Sequence, residues 1–409
     1  MKSLSKLFRI GCGPSSSHTI APQNATMSFK SLIKNEKFDY VLVTLYGSLA
    51  LTGKGHGTNQ VIEKTLLPYP CRIIFDTQTI SHHPNEMKLS LIKEGTEVFF
   101  RIYDSLGGGE IYSPDDSAVD EKDIYPFSSF EEIKSHLHRN GNLDLKDFCL
   151  EYENKEIDEY LSKALDIMFS SVEKGLVSEG RIPANNNPRL NIFRNAKAIN
   201  EKAYSVDDPD MKRLLLITSY AYAVSESSAC HEEIVTSPTC GSSGILPAIL
   251  YYEYHDCQVN RRIIKDSLYT AGIFGNIVKQ NASISGAIGG CQAEVGTASS
   301  MAAAALSYIN GLYLYQIEYA AECAMEHFLG LSCDPVDGYV IIPCIERNGM
   351  GALRAYNSYA YAKYISGIKK NQVSFDNVVS AMKMTGDSLA SAYKETALGG
   401  LAKILKEKQ

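Results

Sequence analysis

Between Lys279 and Glu318 the chain carries a single charged residue, Glu294. A stretch of that length with one charge has to be buried, and a buried carboxylate needs a partner or a task. Its uncharged core, Val295 to Ile317, is long enough to cross a bilayer. It nevertheless contains Thr, Ser, Asn and Gln, mixes small with bulky residues, and has no flanking Lys/Arg cluster. The run therefore reads as one helix at the centre of a protein core. Three cysteines punctuate this part of the chain: Cys291 in Gly-Gly-Cys-Gln-Ala-Glu, Cys333 in Leu-Ser-Cys-Asp-Pro, and Cys344 in Ile-Pro-Cys-Ile-Glu-Arg-Asn. The intervals lack short Cys-x-x-Cys pairs, so spacing alone is a weak metal signal. Three thiolates holding an iron–sulfur cluster and three inert buried cysteines both fit; composition alone favours the second by about three to one.

Length and charge narrow the remaining possibilities. A chain of 409 residues suggests two or three domains with room for real cores. Net charge is −7 with no basic block, which argues against a nucleic-acid-binding surface. Residues Met1 to Ile10 have too short an apolar core for a secretory signal. Ten cysteines without such a signal point to a reducing compartment, so the expectation is a cytoplasmic protein with no membrane partner.

The expected fold is multidomain: an N-terminal α+β domain over 1–145, then an all-α domain over 152–409. Gly11-Cys-Gly-Pro-Ser-Ser-Ser-His-Thr19 reads as a loop entering a helix. Ser15, Ser16, Ser17 and His18 there are candidates to hold an anion at free backbone amides, with ordinary helix capping as the equal alternative. Tyr40–Leu45 and Arg72–Phe75 are strand-like, and Thr96–Tyr103 pairs with Glu110–Tyr112 across a triple-glycine turn. Gly47 to Thr58 has the wrong glycine spacing for a phosphate loop, and Gly55 follows Lys54 where Ser or Thr would hold magnesium. A flexible glycine-rich turn carrying His56 remains. Ser81-His-His-Pro-Asn-Glu-Met87 is a polar loop whose adjacent histidines are acid–base candidates. Residues 115–146 read as a surface helix and linker.

Beyond residue 151 the pattern is helical: Ile157–Val177, Met211–Ser225, hairpins around 262–328, and terminal helices at 349–367 and 375–406. Ser237 to Pro247 interrupts it with a Gly/Ser loop suited to cradling an anion, through Thr239, Gly241 and Ser242.

Taken together, Gly13-Pro-Ser-Ser-Ser-His-Thr19, Gly53-Lys-Gly-His56, Gly290-Cys-Gln-Ala-Glu-Val-Gly296, Cys333-Asp-Pro, Pro343-Cys-Ile-Glu-Arg-Asn348 and Tyr393-Lys-Glu-Thr-Ala-Leu-Gly-Gly-Leu401 resemble the bacterial iron–sulfur L-serine dehydratases, over nearly the whole chain. That resemblance implies an oxygen-sensitive [4Fe-4S] cluster, no pyridoxal phosphate, and conversion of L-serine to pyruvate and ammonia. It also implies that Cys291, Cys333 and Cys344 bind three irons and leave the fourth for substrate. His83 is implied as the base, His56 as a second histidine of catalysis or regulation, and the first domain as similar to an effector-binding module. The chain departs from the family pattern at Cys240, where Asn is usual, and at Cys12, where Ile is common. The segment at 60–80 looks short, and the end, Lys406-Glu-Lys-Gln409, lacks the cysteine by which some members reach back to the cluster.

The implied chemistry is physically coherent. An open iron acts as a Lewis acid on the β-hydroxyl, an effect worth several kcal/mol in metal enzymes. A positioned histidine takes the α-proton, a contribution of roughly 10²–10⁴-fold. Glu294, three residues after Cys291, would share its helical face and orient a ligand or the substrate ammonium, or else pair with a helix end. Arg347 and Lys394 are candidate partners for carboxylates nearby. The same chemistry on L-threonine or L-cysteine, and a non-catalytic serine or redox sensor, are the competing readings. A homodimer is the expected assembly.

Overall fold

The computed structural model describes residues 1–114, 123–141, 144–184, 187 and 190–407. Much of the expected linker, at 115–122 and 142–143, and the chain end at 408–409 lie outside the described residues.

The strands are β1 (Ile10–Cys12), β2 (Tyr40–Leu45), β3 (Cys71–Phe75), β4 (Glu86–Lys93), β5 (Thr96–Gly107), β6 (Glu110–Tyr112) and β7 (Glu233–Val235). The helices of the first part are α1 (Ala21–Leu32), α2 (Gly47–Thr52) and α3 (Thr58–Leu66). The rest are α4 (Phe130–Arg139), α5 (Leu145–Tyr152), α6 (Ile157–Val177), α7 (Ala196–Tyr204), α8 (Pro209–Ala229), α9 (Ile245–Tyr251), α10 (Arg261–Asn281), α11 (Gly286–Gly289), α12 (Thr297–Ile309), α13 (Leu314–Glu326), α14 (Cys344–Ile365), α15 (Phe375–Ser388) and α16 (Gly400–Glu407).

The sheet runs β3-β2-β4-β5-β6; β2 and β3 are parallel and the other pairs antiparallel. In β2, Val41, Val43 and Leu45 are buried while Tyr40, Leu42 and Thr44 are half-buried, the period-two signature of a strand with one covered face. These buried residues join Ala25 and Phe29 of α1, Ile62 and Leu66 of α3, and Met87, Leu89 and Leu91 of β4 in one apolar cluster. β4 begins inside what the sequence suggests is a polar loop. The turn after β5 holds Gly107, Gly108 and Gly109 at φ of 101°, 60° and 84°. A Cβ on Gly107 would stand 3.2 Å from Ser285 Cβ, so glycine lets this turn lie flat against the helical part.

The larger core lies among the helices, with every residue of α12 from Thr297 to Ser307 buried. α12 packs on α10, α13 and α14, and alanines at 302–305 allow that close approach. The expected single helix over Val295–Ile317 is in fact two. Asn310 caps α12, Gly311 takes φ 67°, and α13 folds back. Likewise the helix expected at 375–406 stops at Ser388 and resumes at Gly400. The intervening chain runs beside Cys333, bridging it at Lys394.

The N-terminal segment joins this larger core. Met1, Leu4, Leu7 and Phe8 pack in it, as do Tyr125, Phe130 and Phe148, and β1 pairs with β7. No helix among the described residues is long and apolar enough to cross a membrane.

Candidate active site

Six separate stretches converge on one cavity, lined by Pro14 and Ser15, His56, Gly241, Cys291 with Glu294 and Val295, Cys333 with Pro335, Val340 and Cys344, and Glu395. Two of the thiols stand at element boundaries and the third in a loop. Cys291 precedes a π-type turn, Gln292–Gly296, that leads into α12. Cys333 sits in the loop after α13, where its N–H donates to Tyr393 O (2.8 Å) and its carbonyl accepts from Glu395 N–H (2.8 Å). Cys344 is the first residue of α14.

Burial pushes the Cys291 thiol up to about 11, against the pull of the Arg347 guanidinium. Burial also raises Cys333 and Cys344, and the other thiols add to it. Arg347 donates to Ser332 O (2.8 Å) and to Asp334 Oδ1 (3.1 Å), which fixes its charge beside Cys291 and Cys344. Without a metal these groups are thiols with raised pKa values that line one cavity. Three soft donors, unpaired by disulfides, around a cavity with a fixed cation behind them fit an iron–sulfur cluster or another thiophilic metal. Cys12 and Cys240 are not among the cavity's lining residues.

His56 lines the same cavity as the thiols, and its ring stacks at 4.3 Å on that of buried His18. His56 is fully buried, which the reading of its segment as a flexible turn did not anticipate. Its Nδ1–H donates to Thr52 O (2.9 Å) and its Nε2 has no partner. Burial lowers its pKa to about 4, so Nε2 carries a free lone pair at neutral pH. His18 is oriented differently. Its Nε2 faces Thr52 Oγ1 (3.0 Å) and Ser48 Oγ (3.2 Å), whose own protons go to Ser48 O and Glu395 O. Nε2 therefore donates, and Nδ1 accepts from Ser17 Oγ–H (2.8 Å).

Two carboxyls complete the cavity. Glu294 Oε1 accepts from Thr239 Oγ1 (2.6 Å), and burial raises its pKa. Glu395 is buried at φ 57°, with Oε1 3.5 Å from His18 Nδ1 and 3.9 Å from His56 Nε2. Burial, and then Glu294, hold it well above the usual carboxylate range, and its Oε2 is unpartnered. Glu395 lies in the motif Tyr393 to Leu401, where nothing in the sequence distinguishes it from an ordinary surface glutamate.

The residues singled out as anion holders separate into two layers. Ser15 and Gly241 line the cavity. Ser17 and His18 stand behind it, and Thr239 and Ser242, linked at 3.1 Å, support Glu294. Ser16 is buried in the first turn after Ser15, whose hydroxyl accepts from His18 N–H. His83 is not among the lining residues, and its Nδ1 accepts from Asn85 N–H (3.1 Å). Lys394 meets the Cys333 segment through its backbone, and Arg347 pairs with Asp334.

The family model described as serine dehydratase alpha chain matches residues 51–402, and that described as serine dehydratase beta chain matches residues 3–72. The chain is 37% identical to the L-serine dehydratase of Streptomyces coelicolor, with 97% of each covered. It is 35% identical to that of Haemophilus influenzae, covering 98% of this chain and 99% of the relative. It is 33% identical to that of Helicobacter pylori strain J99, with 99% of each covered. With alpha-chain and beta-chain matches in one polypeptide, and a relationship that spans its length, this chain belongs to the L-serine dehydratase family.

Proposed function

We propose that the protein is an L-serine ammonia-lyase that converts L-serine to pyruvate and ammonia with a [4Fe-4S] cluster held by Cys291, Cys333 and Cys344. The observation that carries this reading is one cavity lined jointly by three thiols, an unpartnered imidazole nitrogen and two buried carboxyls. When bound, a cluster with three protein ligands leaves an iron open and supplies Lewis acidity for the departing β-hydroxyl.

The chain's own groups supply the rest. His56 receives the α-proton at Nε2, because Thr52 O fixes the other nitrogen as a donor. In this reading the base is His56, which lines the cavity, and His83, the base implied by the family resemblance, is not among the lining residues. Burial raises the pKa of both Glu294 and Glu395, which give the serine ammonium an acidic wall, and its arrival favours their ionised form. Ser15 and the Gly241 segment hold the substrate carboxylate, with Ser16, Ser17, His18, Thr239 and Ser242 fixing their geometry. The aminoacrylate so released hydrolyses without further help. A homodimer in the cytoplasm and a division at 1–145 and 152–409 belong to the same proposal.

The test is pyruvate release from L-serine by anaerobically prepared protein, with L-threonine and L-cysteine assayed in parallel. Serine turnover fastest of the three is expected. Serine binding without any pyruvate would instead support a sensor.

A further inference from the structure

The loop from Ser81 to Asn85 carries a histidine that the cavity does not use. His82 lies between two carboxylates: its Nδ1 meets Glu86 Oε2, and its Nε2 stands 3.0 Å from Asp104 Oδ2. Its backbone N–H also donates to Glu86 Oε2 (3.3 Å). Glu86 and Asp104 are direct cross-strand partners on β4 and β5 and both are buried. Like charges placed opposite each other in a sheet repel, and Asp104 Oδ1 has no other partner. A neutral imidazole can donate from only one nitrogen, so a ring with a carboxylate at each nitrogen is an imidazolium.

The loop that this ring pins is the footing of α2. Pro84 O accepts from Ser48 N–H (2.8 Å), and Glu86 O accepts from Tyr46 N–H (3.0 Å). Gly47 sits so close that a Cβ there would fall 2.4 Å from Pro84 O. Ser48 and Thr52 of α2 then hold His18, and the Thr52 carbonyl holds His56 Nδ1.

We propose that His82 is a positioning residue: clamped between Glu86 and Asp104, its imidazolium seats the 81–85 loop under α2 and thereby orients His56 and His18. The inference rests on the reading of His56 as proton acceptor. The charged groups acting on His82 are Asp104 of β5 and Glu86 of β4, and its own charge acts on His83 beside it. The hydrogen bond to Asp104 leads in raising its pKa above 6.5. The clamp is therefore complete below about pH 6.5 and is lost as pH rises through the raised folded value.

The experiment compares wild type, His82→Gln and His82→Lys as anaerobically prepared holoenzymes, reading kcat and KM for L-serine from pH 6 to 9.5, urea midpoints over the same range, and metal content. Wild-type kcat and urea midpoint should both fall on the alkaline side. His82→Gln should lose about 10- to 10²-fold in kcat, the scale of a displaced catalytic group, with KM little changed and without the alkaline fall of the midpoint. His82→Lys, cationic to about pH 10, should keep most of the activity and carry the alkaline fall upward. A Gln variant with the wild-type profiles overturns the proposal. So does a bound metal, beyond the cluster iron, that disappears in the Gln variant, since the site would then be a cation site. If no form releases pyruvate, the functional reading fails, while the urea series still decides whether the clamp exists.

Discussion

At the scale of single residues, the chemistry depends on which nitrogen of which histidine is free. His56 Nε2 is buried, unpartnered and unprotonated, whereas both nitrogens of His18 are engaged and His83 Nδ1 accepts a backbone amide. His56→Asn should therefore lower kcat by roughly 10²–10⁴-fold, the usual contribution of a general base. Retained turnover with normal cluster iron would remove His56 from the role. Because burial puts its pKa near 4, proton uptake by His56 should not inhibit between pH 7 and about 5. An acid limb near 6.5 that vanishes in the Asn variant would contradict this. The sign for stability is the same. The folded pKa lies below the unfolded one, so neutral His56 contributes stability above about pH 6.5 that is lost as pH falls toward 4. Cys291→Ser should lose iron and activity together, while Cys12→Ser, outside the cavity, should retain both. Iron per chain, measured on anaerobic protein, separates the two outcomes.

At the scale of elements, the site is assembled by helix ends and loops that the packing of α12 holds in place. Its alanines at 302–305 are fully buried. Ala303→Leu should cost about 1–3 kcal/mol through overpacking, read as a lower urea midpoint; an unchanged midpoint would mean that α12 packs loosely. The elements that sequence pattern reveals are those with strong periodicity: Tyr40–Leu45 and Ile157–Val177 are found where expected. Pattern fails where local signals compete. Asn310-Gly311 splits an otherwise uninterrupted uncharged run, and Leu389 to Gly399 leaves a helical pattern to run beside Cys333. The same limit applies to the site. The cysteines and Ser15 are legible because their motifs are distinctive. The burial of His56 and the convergence of Glu395 depend on contacts between residues hundreds of positions apart, which no local pattern encodes.

At the scale of the whole molecule, the proposed activity requires cooperation between the small sheet-bearing part and the helical body. The proposed proton acceptor comes from the segment between α2 and α3, the proposed metal donors from the approach to α12, the loop after α13 and the start of α14, and the second carboxyl from the C-terminal stretch. The glycine turn after β5 and the β1–β7 pairing tie these parts together. Preparation of the protein without oxygen, followed by iron and sulfide quantification and a serine-to-pyruvate assay before and after exposure to air, tests the central claim most directly. The account predicts about four irons and four sulfides per chain, with pyruvate formation that decays in air as the cluster is lost. Colourless, iron-free protein that still deaminates serine would contradict it.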